Sequence, residues 1–170
     1  MRPRLTHLVF GTALLAVVAS AQAADWTRYK YPENGFSVTL PIAPVKQTQS
    51  QSEVGLSVTT DIYISRDKAV TTVVSVSKLP ANTSKQVKQN LIEGIKSGFL
   101  RSTKATGTAD KSQKYGGLEG RLIQFKLPAG PEGAMWIYEV KDKVYALTIL
   151  GPAPRNDSVA SKFFGSFKVL

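Results

Sequence analysis

VGLSVTTDIYI, residues 54–64, puts Val54, Leu56, Val58, Ile62 and Ile64 on even positions, with Ser57, Thr59 and Asp61 between them and Ser65 just beyond. Successive side chains of an extended chain point to opposite faces, so this spacing is that of a β-strand, and no other stretch shows it as clearly. Arg66, Asp67 and Lys68 then form a turn, and the chain returns from Ala69 to Leu79 through the Val- and Thr-rich run TTVVSVS. The two runs predict a hairpin.

Upstream, Phe36, Val38 and Leu40 alternate with Ser37 and Thr39 and stop at Pro41, a first strand with one buried face that ends where proline removes the next donor. Downstream, Pro80 to Ser84 breaks the pattern. Val87, Leu91, Ile92, Ile95, Phe99 and Leu100 then recur at helical spacing and give a helix one apolar face. Thr83 and Gln86 fit a capping box at its start, and Lys85, Lys88, Gln89, Glu93 and Lys96 occupy the opposite face, expected in solvent. Further strands are expected over 104–110 and, after a turn at Gly116 and Gly117, over 118–127. The Pro/Gly-rich stretch 128–133 precedes two runs, 134–140 and 144–150, joined at Lys141, Asp142 and Lys143. Met135, Trp136, Ile137 and Tyr138 are apolar on both faces, which predicts a central pair with cover on both sides. A short capped helix over 156–164 and an edge strand over 167–170 complete the chain. The expected fold is α+β: a mainly antiparallel sheet with one long amphipathic helix and a short C-terminal helix packed on it, in a single domain over 24–170.

The first 26 residues, MRPRLTHLVFGTALLAVVASAQAADW, place Arg2 and Arg4 before a short apolar core and end that core in small residues. These are the parts of a secretory signal peptide over 1–23, with Ala21 and Ala23 fitting the peptidase and cleavage expected after Ala23. The apolar core is shorter than a bilayer span, and no cysteine follows the cleavage site to carry a lipid. The expected product is soluble, periplasmic or secreted, with no stable membrane anchor. Asn82 and Asn156 begin Asn-x-Ser/Thr triplets that are better read as helix caps than as glycosylation sites.

The whole chain has one histidine, His7, inside the leader, and no cysteine. Cleavage would remove histidine altogether, and with it Ser–His and Cys–His nucleophiles, thiol redox chemistry and zinc sites. No metal or cofactor is expected. The mature chain would hold 147 residues with 20 basic against 12 acidic side chains, a formal charge of +8.

The aromatic segment over 26–31, the strand Gly35-Phe36-Ser37-Val38-Thr39-Leu40-Pro41, the mid-chain helix and the closing Phe163-Phe164-Gly165-Ser166-Phe167 together resemble the PsbP/Mog-like α/β superfamily, which includes periplasmic DcrB-like proteins. The resemblance covers most of 26–170 as topology and short patterns. It implies a non-catalytic module that binds or assists other proteins. The lipid anchor of DcrB-like proteins does not carry over, for want of a cysteine, and no functional residue of the family matches a position here.

Two stretches are candidate binding surfaces. Trp26, Arg28, Tyr29 and Tyr31 interleave rings and cations, a mixture that stacks on bases or sugars, or that simply plugs a sheet edge. Lys85, Lys88 and Lys96, continued by Arg101 and Lys104, form a basic strip that would draw anionic polymer, or that is ordinary helix solvation. Gly116-Gly117-Leu118-Glu119-Gly120-Arg121 lacks the Gly-Lys-Ser/Thr ending of a phosphate loop and precedes a strand, so it reads as a turn. No pair among Glu33, Glu119, Glu132 and Glu139 is spaced for acid–base work, and Asp61, Asp67 and Asp142 are too dispersed for a calcium loop. No catalytic residue is therefore named. The expected function is an exported, non-enzymatic module that binds an envelope protein. The alternatives are a basic binder of anionic envelope polymer and a carboxylate-dependent cell-wall hydrolase. Nucleic acid is not an expected partner of an exported protein.

Overall fold

The computed structural model describes residues 26–53, 56–68, 70–151 and 158–170. The leader, with Ala21 and Ala23, and the expected cap at Asn156 lie outside the described residues. The chain runs β1 (Thr27–Tyr31), a 3-10 turn (Pro32–Asn34), β2 (Phe36–Leu40), β3 (Val45–Glu53), β4 (Leu56–Arg66), β5 (Thr71–Lys78), α1 (Lys85–Thr103), β6 (Thr106–Tyr115), β7 (Leu118–Lys126), β8 (Glu132–Val140), β9 (Lys143–Gly151), α2 (Ser158–Ser166) and β10 (Lys168–Val169). The fold is α+β, with two antiparallel sheets, one long helix and one short C-terminal helix.

Seven strands form the main sheet in the order β3-β4-β5-β9-β8-β7-β6, and three form a small sheet in the order β1-β2-β10. β9 lies at the middle of the main sheet and β8 beside it, where their apolar runs are covered on both faces. Against one face the small sheet and α2 bury Phe36, Val38, Leu40, Phe163, Phe164 and Phe167 on Tyr63, Val76, Trp136, Tyr138 and Tyr145. Against the other, α1 lays Leu91, Ile92, Ile95, Phe99 and Leu100 on Ile123, Phe125, Met135, Ile137 and Ala146. The product is a three-layer arrangement, with α1 on one face of the main sheet and the small sheet with α2 on the other. Among the described residues no helix is long and apolar enough to cross a membrane.

Three local features depart from the sequence reading. Ser84, not Thr83, caps α1: its hydroxyl accepts from Val87 N at 3.4 Å, while Thr83 Oγ1 donates to Pro80 O at 2.6 Å. β3 was not expected, because Lys-Gln-Thr-Gln-Ser-Gln has no apolar alternation; it exists because β4 supplies nine consecutive partners. The closing strand pairs with β2 rather than the main sheet, and Leu170 N reaches Gly35 O at 2.9 Å. Gly116 and Gly117 take positive φ, +56° and +83°, as a turn needs. Gly120 has another reason to be glycine: a Cβ there would lie 2.5 Å from Trp136 Nε1, which passes over it to donate to Gln113 O at 3.2 Å.

Candidate functional site

Over the described part of the 54–64 run, from residue 57 on, the side chains do alternate between faces, but the polar side is the one buried; Val54 lies outside the described residues. Asp61, Tyr63 and Ser65 are 4%, 2% and 0% exposed beneath the small sheet, whereas Val58, Ile62 and Ile64 point to the α1 side and stay half-buried. A carboxylate in that position needs compensation, since an unpaired buried charge is costly. Asn34 Nδ2 donates to Asp61 Oδ2 at 2.9 Å, Thr48 Oγ1 donates to Oδ1 at 2.7 Å, and Lys46 Nζ and Lys78 Nζ lie 3.3 and 3.4 Å from Oδ2. Burial alone would raise the Asp61 pKa, but the Thr48 and Asn34 hydrogen bonds and the Lys46 ammonium outweigh it and hold the carboxyl at about 2. Asn34 also donates to Tyr63 OH at 2.5 Å, Tyr63 OH donates to Glu33 Oε1 at 3.3 Å, and Tyr145 OH donates to Asn34 O at 2.9 Å. This node ties the Pro32–Asn34 turn to the main sheet. The local reason for the turn is Gly35, whose φ of +71° lets its N–H return to Pro32 O.

On the far face, α1 covers only part of the sheet. Its apolar residues cluster with β7, β8 and β9 and with Val58, while Ile62, Ile64 and Val73 lie outside that cluster. Cross-strand register places Val45, Ile64 and Val73 in one row, and Gln47, Ile62 and Ser75 in the next. Val45 is 65% exposed and Ile42, just before β3, is 44% exposed. The outcome is an apolar strip that begins at the β3 edge and runs onto the sheet without a covering layer among the described residues. Sequence reasoning missed it because the strand's apolar side was the natural choice for the core. The one available signal was Tyr63, a large ring on the otherwise polar side of the alternation.

The residues singled out from sequence are placed as follows. Tyr29 and Tyr31 turn inward on β1; Tyr31 stacks obliquely on Tyr63 at 4.2 Å and on Phe36 at 4.9 Å, and burial pushes its hydroxyl up to about 12. Trp26 meets Phe163 edge-on at 6.4 Å with Lys162 Nζ 5.5 Å from its ring. Arg28 is exposed and donates to Ser37 Oγ at 3.0 Å. The rings and cations of this segment are thereby separated onto different sides of β1. The helix lysines are separated too. Lys85 is exposed, Lys88 Nζ donates to Lys141 O, and Lys96 Nζ lies 2.8 Å from Glu93 and 3.1 Å from Asp110. Of the three, Lys96 is thus bound to two carboxylates, so the strip is not evenly positive.

Between α1 and strands β7 and β8 lies a groove of about 500 Å³ lined by Gln86, Gln89, Asn90, Glu93, Arg121 and Glu139, among others. Two of its acids are engaged: Glu93 pairs with Arg121, which also lies 2.5 Å from Asp110 outside the groove, and Glu119 accepts from Ser112 Oγ at 3.0 Å. Among the described residues no cluster of acids or histidines is arranged to hold a metal ion. Compared with known proteins, the chain matches no family model and no curated sequence.

Proposed function

We propose that this protein is an exported, non-enzymatic module of PsbP/Mog-like type that binds another cell-envelope protein through the uncovered face over β3, β4 and β5. The observation that carries the reading is the inverted strand β4, which buries Asp61 and leaves Ile62 and Ile64 on the part of the opposite face that α1 does not cover. Contiguous exposed apolar surface is the mark of a contact site on an otherwise charged molecule. The non-enzymatic part is supported by the state of the carboxylates: Asp61 remains an ion at neutral pH, and Glu93 and Asp110 share Arg121 and Lys96. General acid catalysis instead needs a carboxyl whose pKa is raised.

A second reading, anionic polymer, has its own observation. Lys78 and Lys143 are direct cross-strand partners on the face that holds Asp61, with Lys46 close by. Like charges placed opposite one another repel, and a bound anion would relieve them.

Capture from solubilised envelope and periplasm, washed in parallel at low and high salt, separates the two. A single protein retained through high salt, and released when Ile62 and Val73 are both changed to serine, is the expected result. Polymer retained at low salt only would overturn it in favour of the second reading.

A further inference from the structure

We infer that the outer edge of β3 accepts an extended segment of the partner as an added strand, one that alternates apolar and acidic side chains; this deepens the reading of the same face given above and rests on it.

The two edges of the main sheet are built differently. β6 carries a bulge between Gly107 and Ala109, bears Asp110, Lys111 and Lys114, and is packed by α2. Bulges, charges and covering elements are how edge strands are kept from pairing with other chains. Among the described residues β3 has none of these between Val45 and Ser50 except Lys46, and it pairs with β4 over nine residues with no shift of register. A long, regular edge of unpaired amides and carbonyls is the template that strand addition uses.

Side chains specify what is added. An added strand sends alternate residues to each face. On the α1 side its residues would sit beside Val45, which is 65% exposed, and next to the row continued by Ile64 and Val73, so they must be apolar to gain from the contact. On the opposite side they would meet Lys46, Thr48 and Ser50, all exposed. Asp61 keeps Lys78, Thr48 and Asn34 if the Lys46 ammonium, 43% exposed, turns towards a second carboxylate. The expected charge of +8 on the mature chain favours encounter with an acidic segment.

A second copy of this chain fits less well. Two β3 strands paired antiparallel about a two-fold axis would set Val45 of one copy against the far end of β3 in the other, leaving both apolar strips uncovered. Two strongly basic chains would also repel.

The test titrates the purified protein with a synthetic nine-residue peptide alternating valine and glutamate, against a peptide of the same composition in blocks and one alternating valine and lysine. Binding is read by calorimetry and by amide hydrogen exchange. The expected result is binding of the alternating acidic peptide alone, with exchange slowed about tenfold or more at amides of residues 45–50, and affinity lowered about tenfold in Val45→Lys, whose exposed position leaves folding intact. Equal binding of the block peptide, binding without protection of β3, no binding, or β3 protection that rises with protein concentration in the absence of peptide would each overturn it. The last outcome would mean self-pairing. An envelope protein captured at high salt and held undiminished by Val45→Lys would leave the module reading standing and remove only the strand-addition mode.

Discussion

Asp61 keeps its charge inside the protein because Asn34, Thr48, Lys46 and Lys78 all converge on it. Its folded pKa of about 2 lies below the ordinary 3.8, so the stabilisation it provides is complete above about pH 4 and is lost as pH falls towards 2. The difference corresponds to about 2 kcal/mol. Asp61→Asn should therefore lower stability at pH 7 by about that amount and flatten the loss between pH 4 and pH 2, as read by urea unfolding at several pH values. An unchanged acid slope would show that the node does not act through this carboxylate. The same residue explains the inverted strand: with four polar partners waiting on one side and Tyr63 packed among aromatic rings beside it, the odd positions of β4 gain more by facing in than the even positions would.

At the scale of elements, α1 rests on the sheet by its apolar side alone. None of its residues is fully buried, and its interior contains Gly94, which is exposed, and Gly98, which is half-buried, both with nothing within 4 Å of where a Cβ would stand. Glycine in a helix interior costs about 0.5–1 kcal/mol relative to alanine. Gly94→Ala and Gly98→Ala should each stabilise by roughly that much, additively, in chemical denaturation. A loss of stability instead would mean that this side of the helix meets another part of the protein. The edge strand β3 makes the complementary point. It has a strand's conformation without a strand's sequence, since its polar residues are shaped by pairing with β4 rather than by their own pattern.

For the molecule as a whole, the last few residues lock the two sheets together. Phe167 is 1% exposed, stacks on Phe36 at 5.3 Å and 11°, and meets Tyr138 and Tyr145 edge-on, so it touches both sheets at once. Phe167→Ala should cost about 3–5 kcal/mol, the range for removing a buried ring, and should speed amide exchange in β2 more than in β8. Equal acceleration throughout would mean that the small sheet has no separate stability.

Most elements were legible along the chain: the hairpin over 54–64 and 69–79, the amphipathic helix through Val87 to Leu100, the doubly apolar pair 134–140 and 144–150, and the closing Phe-rich segment are local patterns, because periodicity is a property of neighbours in sequence. The sequence also bounded the chemistry, through the absence of cysteine and the single histidine at position 7. Not legible there were the face of β4 that turns inward, the meeting of Lys46 and Asn34 on Asp61, the pairing of Lys96 with Asp110, and the edge strand made from a polar segment. These depend on contacts between residues far apart in the chain. An alternating strand offers two faces, and what lies opposite each of them chooses which one is buried.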